Sequence, residues 1–405
     1  MLEQGKSSDR WFHLAIATLS QATLAAIHLG IPTVIPLIQT ELRLSLAEVG
    51  VLASLVNAGV VASAIWAGKA ADRFGERLII GYGTMAGGLI IMMVNLTVGF
   101  ASLVPLLLLL GVPMGTGTPA GSKAVAGWFE QRERATAMSI RQTGVPLGGT
   151  IAALVLPSLG LAFGWRIALS CVGVIAVGVG VTVLRLYKQP APKPVPRDAA
   201  PIGGLRDIVR HKEIWTVTLY ASILAGSQWC YLSYLVLYLT EDLHFPLVFA
   251  AALLAGGQIL AAAGRILSGL ISDRYFVGRR KPVLIMLGLF AVVLALVTAS
   301  LSDDTAQWSV VVIVSCLGFA TMSWQGLYLT LVSELVGARM AGQAVGLTNT
   351  AVFFGIVSLP PVFGSIADYT DSFRMSWGWL ALMIALSMAF FLTVKESGDS
   401  AGQSD

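Results

Sequence analysis

The chain alternates between long apolar runs and short segments that carry charged and turn-forming residues. A bilayer core takes about 20 apolar residues per helix, and only helices or closed barrels pair every backbone group in hydrocarbon. The runs are too long for barrel strands, so the pattern predicts an all-α membrane protein with twelve transmembrane helices. The predicted spans one to twelve are Phe12–Thr40, Leu46–Ala67, Leu78–Phe100, Leu103–Trp128, Ala135–Ala162, Trp165–Tyr187, Ile214–Leu239, Pro246–Ile271, Pro282–Leu301, Trp308–Val336, Gly342–Ala367 and Ser376–Val394.

Composition supports a membrane protein. The 405 residues are 56% hydrophobic and 12% charged, whereas an ordinary soluble domain has roughly 45–50% and 25%. Three cysteines and four histidines show no metal-ligand spacing, so we expect no metal site and no cofactor. No Walker loop, dinucleotide fingerprint or hydrolase motif is present, which predicts a protein without catalytic residues and without a nucleic-acid partner. The polar first ten residues and the full-length first span argue against a cleaved signal peptide.

Orientation follows from the basic residues. If the N-terminus is cytoplasmic, twenty of the 26 lysines and arginines lie in cytoplasmic segments, which is the positive-inside pattern. Both termini are therefore predicted to be cytoplasmic, in a multi-pass protein of the cell membrane.

A polar, proline-rich stretch between spans six and seven divides the chain. Alternating prolines favour a stiff, extended linker over a folded domain. We therefore predict an N-terminal six-helix bundle over residues 1–187, a cytoplasmic linker over 188–212 and a C-terminal six-helix bundle over 213–405. An internal repeat supports this division, because Asp72-Arg73 after span two matches Asp273-Arg274 after span eight.

The loop Gly68-Lys-Ala-Ala-Asp72-Arg73-Phe-Gly75-Glu-Arg77 resembles the signature of the major facilitator superfamily, G-x-x-x-D-R-x-G-R-R, with Glu76 where a basic residue is commoner. The second copy runs from Gly269 to Arg274 and continues with Gly278-Arg279-Arg280. The resemblance covers the whole chain. It implies two six-helix bundles and one central solute site that opens alternately to each side.

The resemblance also implies a role for the two loops in gating. Their acidic residues lie near helix ends beside arginines, and such exposed pairs contribute about 1 kcal/mol each, which suits a gate that must open. The alternative is that these loops only fix the topology. The gating residues predicted in this way are Gly68, Asp72, Arg73, Gly75, Arg77, Gly269, Asp273 and Arg274.

Ionisable side chains within the spans are basic. No acidic residue is placed near the middle of a span, whereas Lys123, Arg141 and Arg265 lie within spans four, five and eight, and His28 lies in span one. Charges in hydrocarbon are costly and mark functional sites by default. Lys123 and Arg141 could instead reach the surface by snorkelling, and His28 could be a hydrogen-bonded core residue. Three cations without a carboxylate partner favour an anionic solute.

The segment Arg265-Ile-Leu-Ser-Gly269 is similar to span eight of the monocarboxylate and oxalate carriers, in which an arginine at this place contacts the substrate carboxylate. The lysine of that branch in span one is absent here. An arginine fork can hold a carboxylate in two parallel hydrogen bonds. Arg141 and Arg265, one from each half, could then bind one anion.

Polar and aromatic residues in other spans complete the predicted solute site. Near a membrane surface the aromatic ones would be interfacial anchors instead. The remaining substrate-binding candidates are Gln142, Gln228, Trp229, Tyr231, Trp324, Gln325 and Asn349.

The function expected from these features is secondary active transport of a small organic solute, most readily an organic anion or carboxylate, by alternating access that is proton-coupled or works by exchange. The alternatives are a drug or metabolite efflux carrier of the same superfamily and a non-transporting membrane sensor. The predicted partners are a small-molecule substrate, the lipid bilayer and, in the proton-coupled case, a proton; the protein is expected to be a monomer.

Overall fold

The computed structural model describes residues 2–129, 134–189, 210–336 and 341–394, and nearly all of these residues are helical. Most of the predicted linker 188–212 lies outside the described residues. The helices follow the apolar runs because a backbone in hydrocarbon must satisfy its hydrogen bonds within the segment itself.

Within residues 2–129 and 134–189 the structure has seven helices. They are α1 (Leu2–Leu42), α2 (Leu46–Phe74), α3 (Glu76–Met92, continued by the 3₁₀ turn Met93–Leu96), α4 (Phe100–Trp128), α5 (Arg134–Gln142), α6 (Gly144–Phe163) and α7 (Trp165–Leu186). Predicted span five is therefore divided between α5 and α6.

Seven more helices lie within residues 210–336 and 341–394. They are α8 (Lys212–Glu241), α9 (Leu247–Tyr275), α10 (Lys281–Ala299), α11 (Gln307–Met322), α12 (Gln325–Val336), α13 (Ala341–Thr370) and α14 (Phe373–Phe391). Predicted span ten, Trp308–Val336, is divided between α11 and α12. The same stretch, Gln307–Val336, is long and apolar enough to cross a membrane as one span, and within it the helix is interrupted at Ser323 and Trp324.

Ten helical segments of the described chain are long and apolar enough to cross a membrane. Predicted spans four and seven are not among them. In α4 only the shorter apolar segment Phe100–Thr116 qualifies, and α8 falls short although it has 30 residues. Polar and aromatic residues lower its hydropathy, and every residue from Cys230 to Leu239 is buried by neighbouring helices. The number of twelve spans and the cytoplasmic position of both termini stay predictions.

The chain forms two compact units. The first contains residues 1–44, 52–195 and 247–255, and the second contains residues 45–51, 196–246 and 256–405. The predicted boundaries at 187, 212 and 213 stay a prediction. Residues 45–51, from the N-terminal half, are grouped with the second unit, and residues 247–255, from the C-terminal half, are grouped with the first.

Glycines let helices pack closely within each unit. In the first unit, a Cβ on Gly148 of α6 would lie 1.9 Å from the carbonyl oxygen of Ala22 on α1. In the second unit, a Cβ on Gly226 of α8 would lie 2.6 Å from the carbonyl oxygen of Gly355 on α13. Such small-residue contacts bring backbones together where lipid supplies no hydrophobic drive between helices.

The start of α2 belongs to the second unit and is capped in two ways. Ser45 and Glu48 form a capping box, with the Ser45 N–H donating to Glu48 Oε2 at 2.9 Å and the Glu48 N–H donating to Ser45 Oγ at 3.2 Å. Asp368 of α13 accepts the N–H groups of Leu46 and Ala47, each at 2.7 Å. All four N–H groups that a helix start leaves without helical partners are thereby satisfied.

Candidate functional site

Side chains of α9 stabilise the interruption of span ten by donating hydrogen bonds to its carbonyl groups. Ending α11 at Met322 leaves carbonyl groups without helical donors. Arg265 donates its Nε–H to the Met322 carbonyl at 3.1 Å, and Ser268 donates to the Ser323 carbonyl at 3.1 Å. The Ser323 hydroxyl donates to the Phe319 carbonyl at 2.6 Å. Three freed carbonyls therefore have side-chain donors, and two of these donors come from another helix.

The two terminal nitrogens of the Arg265 guanidinium remain available for a ligand. Its side chain is half-buried, and in the part of the chain that the structure describes its two Nη groups donate to no residue. An arginine held through Nε still presents the Nη pair to a carboxylate. The geometry therefore leaves room for the predicted ligand role while adding a structural one.

Trp324 lies at the same interruption. It is 3% exposed, its indole N–H donates to no described residue, and its ring centroid is 5.7 Å from that of Tyr328. A buried indole N–H usually has an acceptor. The neighbouring Gln325, at the start of α12, is exposed.

Tyr231 of α8 points into the contact between α9 and α11. Its hydroxyl oxygen lies 2.1 Å from the position of a Cβ on Gly257 and 2.7 Å from that of a Cβ on Gly318, so only glycine fits at these places. Its hydroxyl is buried and bonds to no described residue. The other candidates in this unit, Gln228, Trp229 and Asn349, are half-buried.

In the first unit, Arg141 is enclosed. It lies near the end of α5 and is 2% exposed. Its guanidinium rests on Gly121 of α4, where an added Cβ would lie 1.9 Å from Cζ. The next residue, Gln142, is exposed and accepts a hydrogen bond from Gln21 at 2.8 Å. The snorkelling alternative is therefore less favourable for Arg141, because its head group does not reach solvent.

The two remaining basic candidates are less informative. His28 is half-buried in α1. Lys123 lies in α4, but its side chain is outside the described residues. Their predicted roles are unchanged.

The second gating loop forms ion pairs within its own unit. Arg280 pairs with Asp273, lies 3.5 Å from Glu334 and donates to Ser272 Oγ at 2.9 Å. Arg274 is exposed. An added Cβ on Gly269 would touch nothing within 4 Å, so packing does not require a glycine there.

The first gating loop is partly described. Gly75 has φ +81°, a conformation that favours glycine, and Arg77 donates its Nε–H to the Leu184 carbonyl at 3.0 Å. Arg73 is exposed and lies 5.2 Å from the Phe74 ring centroid. Gly68 and Asp72 both lie in α2, but the surroundings of Gly68 and the side chain of Asp72 are outside the described part of the chain.

Sequence reasoning missed Ser268, Gly121 and Gln258. The contacts of the first two could not be predicted, because they depend on which helix lies opposite. Gln258 is a buried polar residue in an apolar run, which is a signal that could have been found.

Comparison with known proteins identifies the family. The model of the Major Facilitator Superfamily matches residues 14–360. The chain belongs to this superfamily. It is therefore a multi-pass membrane protein and a secondary transporter, not an enzyme.

Individual members of the Major Facilitator Superfamily are similar along nearly the whole chain. A probable L-galactonate transporter of Escherichia coli is 25% identical over 361 residues, covering 84% of this chain and 79% of its own. A probable sulfoacetate transporter of Cupriavidus necator is 25% identical over 399 residues, covering 91% of both. A solved bacterial homolog of the human lysosomal transporter Spinster has a TM-score of 0.82 at 18% identity and covers 95% of this chain and 96% of its own. That structural similarity establishes the fold alone.

Proposed function

We propose that this transporter carries a small organic anion, with the carboxylate bound at Arg265. The proposal depends on the hydrogen bonding of the Arg265 side chain. Its Nε–H donates to the Met322 carbonyl, and its two Nη groups donate to no described residue. The Met322 carbonyl is neutral, so it orients the Arg265 guanidinium without neutralising its positive charge. A carboxylate would supply both the charge and two acceptors.

The burial of charge within the described chain supports the same proposal. Glu76 is the one buried acidic side chain among the described residues, and it lies at the start of α3 in the first unit. Arg265 is in the second unit, so no buried carboxylate of that unit's described residues is available to it. Exporters of cationic drugs usually need a membrane-embedded carboxylate, which makes a cationic cargo the weaker alternative.

The similar transporters support an anion as well. Both relatives carry names of organic anions, L-galactonate and sulfoacetate. For this chain we therefore favour a hydroxylated or otherwise polar carboxylate, moved by proton coupling or by exchange. Its differential affinity for the states of the transport cycle would drive the conformational change.

Counterflow of labelled carboxylates in proteoliposomes tests the proposal. Arg265→Ala should raise the KM by about 10–150-fold, since a hydrogen bond to a charged group contributes roughly 1.5–3 kcal/mol. Arg265→Lys should recover part of this loss, because it keeps the charge but not the fork. Arg374→Ala, at an exposed arginine at the start of α14, serves as the matched control. Normal transport by Arg265→Ala would refute the proposed site.

The same assay addresses the alternatives. An efflux carrier would lower solute accumulation in intact cells that carry the gene, whereas an importer would raise it. A membrane sensor would bind the anion without counterflow.

A further inference from the structure

Gln258 of α9 is a buried polar side chain without a partner. It is 2% exposed, and neither its Nε2 nor its Oε1 atom hydrogen-bonds to a described residue. A primary amide offers two donors and an acceptor oxygen with two lone pairs. Leaving such a group unsatisfied in a buried place is expensive, so nearly all buried polar groups have a partner.

The other buried polar side chains described in α9 do have partners. Ser268 donates to the carbonyls of Arg265 and Ser323, and Ser272 donates to the carbonyl of Arg279. The contrast lies within one helix and one unit. Gln258 therefore stands out as a group whose partner is not supplied by the described chain.

The position of Gln258 relates it to the anion site. It precedes Arg265 by seven residues, which is two helical turns and about 10 Å along the same face of α9. Its neighbour Gly257 faces Tyr231, whose hydroxyl is also buried and without a described partner. On α9 itself, Gln258 is therefore a polar side chain with unused hydrogen-bonding capacity two turns before Arg265, and the Tyr231 hydroxyl of α8 lies against the adjacent Gly257.

Resting on the proposed anion site, we propose that Gln258 binds a hydroxyl group at the far end of the substrate. A hydroxyl both donates and accepts, so it suits an amide that offers both kinds of atom. The ligand class is then an extended carboxylate of about six carbons with a distal hydroxyl. Arg265 selects for charge, and Gln258 selects for the polar tail.

The test compares acids that differ at that tail. Wild-type protein and Gln258→Leu are assayed in proteoliposomes for inhibition of L-galactonate counterflow by 6-hydroxyhexanoate and by hexanoate. The wild type should prefer the hydroxylated acid by about tenfold, which corresponds to about 1.4 kcal/mol. Gln258→Leu should lose this preference and bind hexanoate at least as well as the wild type does.

Two controls separate a binding role from a structural one. Gln258→Leu should keep or raise the unfolding temperature, because it replaces an unsatisfied amide with an apolar group of similar size. Ser387→Ala removes a buried hydroxyl of α14 that donates to the Ile384 carbonyl at 2.9 Å, and it should leave the preference between acids unchanged.

The outcomes are distinguishable. Loss of the preference in Gln258→Leu, with an intact fold and unchanged hexanoate inhibition, supports the proposal. An unchanged preference would assign the amide to a buried water and overturn it, as would a wild type that does not distinguish the two acids. If neither the label nor any of the acids interacts with the wild type, the proposed anion transport itself fails.

Discussion

Spans five and ten are both interrupted, but for different reasons. In span five, Pro146 has no N–H to offer the carbonyl four residues earlier, so the helix loses a hydrogen bond near Thr143. The Thr143 hydroxyl donates to the Ile140 carbonyl at 2.6 Å, which is a bond within the same segment. Span ten contains no proline between Gln307 and Val336. Its interruption is stabilised from outside, by Arg265 and Ser268 of α9.

An arginine accompanies each interruption, and the two differ in surroundings. Arg141 is 2% exposed and its guanidinium covers Gly121, whereas Arg265 is half-buried with an available Nη pair. The head group of Arg141 is shielded from solvent, whereas that of Arg265 keeps part of its surface accessible. Two basic residues at membrane depth can therefore differ in function, because one head group is shielded and the other is accessible to a ligand.

The largest expected effect concerns the support of Arg141. In Gly121→Ala, the new Cβ would lie 1.9 Å from Cζ of Arg141, so the guanidinium must move. We expect a loss of about 1–3 kcal/mol in unfolding free energy, as for other overpacked cores. The measurement is thermal unfolding in detergent.

Gly178→Ala in α7 is the matched control, because its added Cβ would meet nothing within 4 Å. Its stability should be unchanged or slightly raised, since alanine favours a helix. Equal behaviour of the two variants would mean that Arg141 is not fixed by Gly121.

The next effect concerns the start of α2, where a local cap and a distant cap coexist. Asp368→Ala leaves the N–H groups of Leu46 and Ala47 without their acceptor, and it should cost about 1–2 kcal/mol. Glu48→Ala removes the acceptor of one N–H group and should cost less. Chemical unfolding of both variants measures the difference. A larger loss for Glu48→Ala would show that the local capping box dominates.

The smallest effect compares the two interruptions directly. Ser268→Ala leaves the Ser323 carbonyl without its donor and should destabilise by about 1 kcal/mol. Pro146→Ala restores a helical donor in span five, so its stability should stay within about 0.5 kcal/mol of the wild type. Unfolding temperatures of the purified variants provide the measurement. Equal losses would remove the distinction between a local and a tertiary cause.

Much of the fold could be predicted because bilayers impose a local rule. Each apolar run must form its own hydrogen bonds, so runs such as Trp165–Tyr187 gave helix bounds within a residue of α7. The loop signature likewise predicted the superfamily, which the family match confirms. The candidate site was less accessible, because the sequence marked Arg265 as unusual but not the carbonyl that fixes it.

The sequence by itself determined where the helices run and the excess of basic over acidic residues at membrane depth, because these depend on neighbours along the chain. Only the tertiary structure decided that span ten is interrupted, that Gly121 supports Arg141 and that Asp368 caps α2. Each of those features needs a donor or acceptor from a distant helix. The physical reason is that hydrogen-bond partners across a bundle are chosen by packing, which no local pattern encodes.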